Sequence, residues 1–138
     1  MEKKKYDKTY LNLIEKINDI AGIRIVCTLK DDIFFIRDLV KQIPDIHVLK
    51  EKDYVTNPKE SGYSSYHMIV EVPVKLTQKT IYVKCEIQIR TLAMDFWASF
   101  EHKVKYKTKN DVNTKMSKEL VSCAKMINKF DTKMINYK

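Results

Sequence analysis

The chain has 138 residues, of which 44% are hydrophobic and 32% charged, with a formal net charge of +8. That length suits one domain, and that balance supplies a core and excludes a disordered chain. No apolar run of about eighteen residues exists, so no membrane span is expected; the N-terminal "MEKKKYDKTYLNLI" lacks an apolar signal core, so the protein is expected to be cytoplasmic.

Tyr6, Tyr10, Leu13 and Ile17 recur at helical spacing and predict a helix over residues 5–19. The β-branched "IAGIRIVCTL" (20–29) reads as a strand. Asp31 and Asp32 make a helix start, Ile33, Ile36, Val40 and Ile43 give it one apolar face, and Pro44 stops it. Residues 45–55 read as a strand, and "TNPKESG" (56–62) as a turn. Two further strands follow over residues 65–76 and 80–89. From Thr91 to about Lys107 the period is helical again, with Ala93, Trp97, Phe100 and Val104 in a stripe; Trp97 and Phe100 are expected in the core. A last helix, about residues 114–136, carries Met116, Leu120, Cys123, Ile127, Phe130 and Met134 at heptad-like spacing, a seam for its own domain or for another subunit. The order α-β-α-β-β-β-α-α lacks regular β-α alternation and predicts an α+β fold, a mixed or mostly antiparallel sheet flanked by helices, as a single domain over residues 1–138.

Cys27, Cys85 and Cys123 show no paired spacing, which excludes a disulfide framework and a CxxC zinc site; all three are expected as buried thiols. The positive charge suits phosphates, whether of nucleotides, RNA or DNA. Only three of the 26 basic residues are arginine, Arg24, Arg37 and Arg90, and an arginine kept in a lysine-rich chain suggests a geometric task.

In "KCEIQIRT" alternation sends Cys85, Ile87 and Ile89 one way and Glu86, Gln88 and Arg90 the other. The polar side is either a solvated surface or the floor of a cleft, where Glu86 suits a hard cation or proton abstraction and Arg90 a phosphate. Asp19 is either a turn aspartate or the partner of Glu86 on a neighbouring strand, the pair holding one Mg²⁺ with a nucleotide's phosphates. Arg24 shares the parity of Gly22 and can face the same cleft. No Walker loop and no GxGxxG occurs, so phosphate binding here depends on side chains.

The segments "DIAGIRI", "KDYVTNPKESGYSSYH", "CEIQIRT" and "AMDFWASFEHKVKYK", in this order, resemble the synthetase domain of the RelA/SpoT family, most closely its small alarmone synthetases. The resemblance covers about residues 15–138 and implies a nucleotidyltransferase-like fold. It also implies transfer of pyrophosphate from ATP to the 3′-hydroxyl of GDP or GTP, making (p)ppGpp in the bacterial stringent response. By the same resemblance Asp19 and Glu86 are catalytic and hold Mg²⁺, and Tyr63 stacks on guanine. Lys52 and Lys59 meet the acceptor's phosphates, and His67, Gln88 and Glu101 lie in the acceptor pocket. A homotetramer joined through terminal helices is implied as well.

The chain departs from the family pattern at several places. Ser61 stands for a usual asparagine, Ser64 for a basic residue or glutamine, and Tyr66 for an aliphatic. Ser61 can still hydrogen bond, and the change at Ser64 is expected to bear on phosphate binding or on the choice between GDP and GTP. No arginine precedes Arg24, where the family carries an Arg-x-Lys-type element that grips ATP. This chain is therefore expected to bind guanine nucleotide weakly and to make little alarmone. Two alternatives stand beside the synthetase: a guanine-nucleotide- or RNA-binding regulator without synthesis, and a pyrophosphotransferase acting on tRNA.

Overall fold

A computed structural model of the chain describes residues 21–107 and 114–137. The predicted helix over residues 5–19, and Asp19 with it, lies outside the described residues. The elements are β1 (Ala21–Cys27), α1 (Asp32–Lys41), β2 (His47–Asp53), β3 (Tyr66–Lys75), β4 (Thr80–Thr91), α2 (Leu92–Lys107) and α3 (Thr114–Met134), with a 3₁₀ turn at Ile135–Tyr137. The four strands form one sheet in the order β1-β4-β3-β2. Its β1–β4 pair is parallel and the other two pairs are antiparallel, so the expected mixed sheet is observed.

Each strand presents alternate residues to α1. Met68 and Val70 of β3 and Cys85, Ile87 and Ile89 of β4 are buried there with Ile33 and Val40 of α1. Tyr66 takes an aliphatic's place in this layer. Its ring meets Phe34 edge-on at 6.1 Å, and its hydroxyl donates to Glu51 Oε1 at 2.6 Å, an oxygen that Lys41 Nζ also reaches at 2.9 Å. Burial and the Glu51 carboxylate push the Tyr66 hydroxyl up to about 12.

The register of β2 shifts between Val48 and Lys50. A side-chain period of two means that one extra residue flips everything beyond it. Val48 faces the core opposite Val70, whereas Lys52 pairs with His67 on the other face. Without that bulge Lys52 would point into the core layer.

Helix α3 seats against α2 and the loop before β3 through small, specific contacts. Trp97, buried as expected, donates its Nε1–H to the Leu120 carbonyl at 2.9 Å. Thr91 Oγ1 accepts the Met94 N–H at 3.1 Å, capping α2, and donates to the buried Asp131 Oδ2 at 2.6 Å. Burial pushes the Asp131 carboxyl up, against the opposing hydrogen bond from Thr91 and the charge of Lys30. Lys30 Nζ reaches Asn128 Oδ1 at 2.7 Å, tying the β1–α1 loop to the same helix.

Three expectations are corrected here. Phe100 is 50% exposed, because α2 turns Trp97 and Met94 inward instead. On α3 the inward residues are Leu120, Ala124, Ile127 and Asp131, so Cys123 and Phe130 of the heptad reading lie outside. Cys123 is accordingly exposed, while Cys85 is buried and Cys27 half-buried; all three are free thiols.

Gly62 is the tightest point of this packing. Its φ of +98° lies in the left-handed region, and a Cβ there would stand 2.6 Å from Ala124 Cβ and 3.2 Å from the Trp97 ring. Gly62→Ala should therefore lower stability by about 2 kcal/mol in urea melts. A loss below about 0.5 kcal/mol would show that this seat is not under constraint.

Candidate active site

The face of the sheet opposite α1 carries polar side chains. Directly paired residues form a row across all four strands: Arg24 on β1, Gln88 on β4, His67 on β3 and Lys52 on β2. Glu86, one step down β4, pairs with Gly22 on one side and Ile69 on the other. The polar face predicted for β4 is thus a cleft floor, and β4 is an interior strand.

Five side chains close a ring of hydrogen bonds on this floor. Arg90 Nη2 donates to Tyr63 Oη at 3.0 Å and also to Gln88 Oε1. The Tyr63 hydroxyl meets His67 Nε2 at 3.0 Å. His67 Nδ1 lies 3.3 Å from Glu86 Oε1, and Gln88 Nε2 donates to the same oxygen at 3.2 Å. The guanidinium has no acceptor and the carboxylate has no donor, so the bonds run in one sense only. His67 carries its proton on Nδ1, facing Glu86, and accepts from Tyr63 at Nε2. Burial holds the His67 pKa below its ordinary value. Glu86 opposes this, but Arg90, Lys59 and Lys52 reinforce it, so the His67–Glu86 contact is a hydrogen bond from neutral imidazole, not an ion pair.

Both arms of the ring end on Glu86 Oε1. Among the described residues no side-chain donor is bonded to Oε2, and the carboxylate is 25% exposed. Glu86 is therefore fixed in direction, and its other oxygen takes no hydrogen bond from a side chain among the described residues.

The loop from Tyr54 to Ser65 delivers Tyr63. Asp53 pins its start: Oδ1 accepts the Val55 and Thr56 amides at 2.9 Å each, and Oδ2 accepts the Thr56 hydroxyl at 2.7 Å. Burial opposes the charge on Asp53, but these donors outweigh it and hold its carboxyl below the usual value. Gly62 N–H to Lys59 carbonyl (2.8 Å) and Lys59 N–H to Tyr63 carbonyl (3.0 Å) close its tip. The Tyr63 ring stands edge-on to Tyr54 and His67. Two cations lie close to it, Lys59 Nζ at 5.3 Å and the Arg90 guanidinium at 5.6 Å from the ring centre.

Tyr63, Gln88 and Arg90 line an open cavity of about 510 Å³ together with Arg24 and, from α2, Ser99, Glu101 and His102. A second hollow of about 260 Å³ lies beside it, bounded by Gly22, Arg24, Glu86 and Gln88. Arg24 and Gln88 border both.

The structure brings together Arg24, Tyr63, His67, Glu86, Gln88, Arg90 and Glu101, with Lys52 and Lys59 on its margin. Arg90 is 4% exposed and held by the ring and by Asp95, so it organises the floor more than it offers free donors. Ser61 sits exposed in the turn. Ser64 faces Met94, Trp97 and Ala124 in a small hollow under α3, so the expectation that it bears on phosphate binding is corrected. Three contributors escaped sequence reading. Asp53 was signalled by its spacing to Thr56 in a turn-rich stretch. Tyr54, whose ring holds Lys59 Nζ at 4.8 Å, gave no signal, and neither did Asp95.

A family model described as "Region found in RelA / SpoT proteins" matches residues 1–111. The chain is 49% identical over 124 residues to GTP pyrophosphokinase YwaC of Bacillus subtilis (strain 168), spanning 90% of this chain and 59% of that protein. It is 37% identical to GTP pyrophosphokinase YjbM of the same organism, spanning 97% of this chain and 64% of that one. The chain thus covers about three-fifths of the length of these relatives. Its fold matches the crystal structure of small alarmone synthetase 2 from Bacillus subtilis with a TM-score of 0.85 at 44% identity, over 96% of this chain and 74% of that one. Small alarmone synthetase 1 from Bacillus subtilis, bound to its product pppGpp, matches with a TM-score of 0.85 at 36% identity, over 97% and 70%. With its expected nucleotidyltransferase-like α+β fold shared with these synthetases, the chain belongs to the RelA/SpoT family.

Proposed function

We propose that this site is a GTP/GDP pyrophosphokinase centre, which moves the β,γ-pyrophosphate of ATP to the 3′-hydroxyl of GDP or GTP. One observation carries the reading: a ring of hydrogen-bonded side chains joins Tyr63, on the wall of the larger cavity, to Glu86, on the wall of the hollow beside it, and Arg24 and Gln88 border both. Membership of a family whose relatives are named GTP pyrophosphokinases supports it.

The acceptor guanine stacks on Tyr63. Two cations already lie near that ring. Lys59 is exposed and Arg90 is buried and tied to its partners, so Lys59 yields and turns to the phosphates with Lys52. The ribose 3′-hydroxyl then gives its proton to Glu86 Oε2, and its oxygen attacks the β-phosphorus of ATP as the bond to the α-phosphate oxygen breaks, leaving AMP. Such a transfer needs positioning and charge neutralisation more than covalent help. Gln88 and His67 keep the base aimed, and Arg24 and Glu101 border the nucleotides.

A carboxylate with one open oxygen in a solvent-accessible hollow fits a hard cation that prefers few protein ligands. Glu86, with Asp19 completing the pair, would hold Mg²⁺, which supplies charge neutralisation on the phosphates when bound. Among the described residues there is no cluster of three or more His, Cys, Asp or Glu that could hold a metal. A homo-oligomer and a cytoplasmic site of action belong to the same proposal. Exposed Met126 and Phe130 on α3 support the former; among the described residues no helix is long and apolar enough to cross a membrane.

A second reading, contact with RNA, is favoured by a different surface. Lys115, Lys118, Lys125, Lys129 and Lys133 fall within an arc of about 80° on α3, opposite its buried face, over about 27 Å. Single-stranded RNA bound along it should show a log–log salt slope of about −3.5, from five phosphate contacts. Changing Lys118, Lys125 and Lys129 to Glu should abolish that binding in filter assays; unaltered binding would remove this reading.

Glu86→Gln should lower transfer from labelled ATP to GDP or GTP by about 10²-fold or more while the chain stays folded. Unchanged transfer would sink the mechanism. The His67 imidazole should titrate by NMR with a midpoint below its ordinary 6.5. Because that shift is downward, the stability and ring geometry it supports are present above pH 6.5 and decline as pH falls through the lowered midpoint. A midpoint above 6.5 would mean an ion pair with Glu86 and a different proton order in the ring.

A further inference from the structure

Arg24 and Arg90 stand on neighbouring strands, on the same polar face, with Arg24 opposite Gln88 and Arg90 two residues further along β4. Two guanidiniums this close on a cleft floor repel each other. A single carboxylate oxygen relieves that repulsion: Arg24 Nη1 and Arg90 Nη1 each lie 3.4 Å from Asp95 Oδ1. Asp95 sits in the first turn of α2, where the helix dipole favours a negative charge.

We propose that Asp95 is a positioning residue for the pyrophosphate transfer, holding the Arg24 head over the border between the two hollows until a nucleotide takes it. The inference rests on reading the cleft as the nucleotide site. The two arginines are unequally held. Arg90 is 4% exposed and has Tyr63 and Gln88 besides Asp95. Arg24 is 54% exposed, and among the described residues Asp95 is its one ion-pair partner. Arg90 therefore fixes the carboxylate, and the carboxylate fixes Arg24. A long, half-exposed ion pair is weak, so an incoming phosphate or base, with more charge or surface to offer, can take the guanidinium without disturbing Arg90. Arg24 borders both hollows, so a small swing of its head serves either one.

The test measures binding and turnover in four proteins: the full chain, Asp95→Asn, Arg24→Ala and the double variant. Asp95→Asn keeps size and removes charge. It should weaken binding of GDP or of a non-hydrolysable ATP analogue by about fivefold in calorimetric titration, the upper end for one half-exposed ion pair. KM should rise in parallel with little change in kcat. In the Arg24→Ala background the same substitution should have no further effect. A full fivefold loss in that background, or none in the parent, would overturn the proposal; a purely structural Asp95 would also lower the melting temperature equally in both backgrounds. A parent chain that binds nucleotides but transfers pyrophosphate no faster than its Glu86→Gln variant would overturn the functional reading alone, since the coupling between Asp95 and Arg24 would still be read from binding. A parent that binds neither nucleotide would overturn both.

Discussion

Arg90 is the constraint on which the cleft depends. A guanidinium 4% exposed in the middle of a sheet would cost several kcal/mol if left unpaired, since burial strips its hydration and nothing deprotonates it. Its partners come from three parts of the chain: Tyr63 from the loop before β3, Gln88 from β4 itself and Asp95 from α2. Pairing the two terminal nitrogens of one buried charge, whose Nε has no partner among the described residues, therefore fixes a loop, a strand and a helix relative to one another. The other polar groups of the floor are placed as a consequence, because Tyr63 and Gln88 pass the orientation on to His67 and Glu86.

The same loop is held from the other side by packing. Gly62 lies under α3 with no room for a side chain, and α3 is fixed by Trp97, Thr91 and Lys30. Tyr63 is the next residue, so a polar ring and an apolar seat act on adjacent positions with opposite chemistry. The arrangement explains why a chain with two glycines places one of them here, where both a left-handed backbone and a close approach are required.

Much of this was legible in the sequence. Period-two alternation in "CEIQIRT" separated Cys85, Ile87 and Ile89 from Glu86, Gln88 and Arg90, and the sheet preserves that division. The order of elements gave the α+β class and the mixed sheet. What stayed hidden involves geometry that period counting does not carry. The bulge that turns Lys52 to the cleft leaves no mark in composition. On α3 a heptad reading assumes a repeat of 3.5, whereas a helix packed on its own domain follows 3.6 and drifts, so Ala124 and Asp131 face inward, while Cys123 and Phe130 of a seam read as serving its own domain or another subunit lie outside. Asp131 was hidden further because a carboxylate is buried only when a specific donor waits for it, here Thr91. Asp95 was invisible for the converse reason: its partners lie on β1 and β4, distant in sequence until the sheet brings them together.

The polarity of the ring carries the last step. Arg90 can only donate and the Glu86 carboxylate can only accept, so each residue between them has its orientation dictated: Tyr63 donates to His67, His67 donates to Glu86, and the Gln88 amide turns its oxygen to Arg90. A reversed Gln88 would place an N–H against a guanidinium and an oxygen against a carboxylate, two repulsive contacts in place of two bonds. Both arms end on Oε1, which leaves Oε2 as the oxygen that can take a proton or meet a cation. The base of the proposed transfer has to be aimed without being capped, and sharing one oxygen between two donors meets both needs. Protonating His67 would make both of its nitrogens donors, so Tyr63 could no longer donate to it and this arm would lose its sense. The neutral state favoured for His67 by burial and by Arg90, Lys59 and Lys52 is therefore what lets Tyr63 donate to it and gives this arm of the ring its sense.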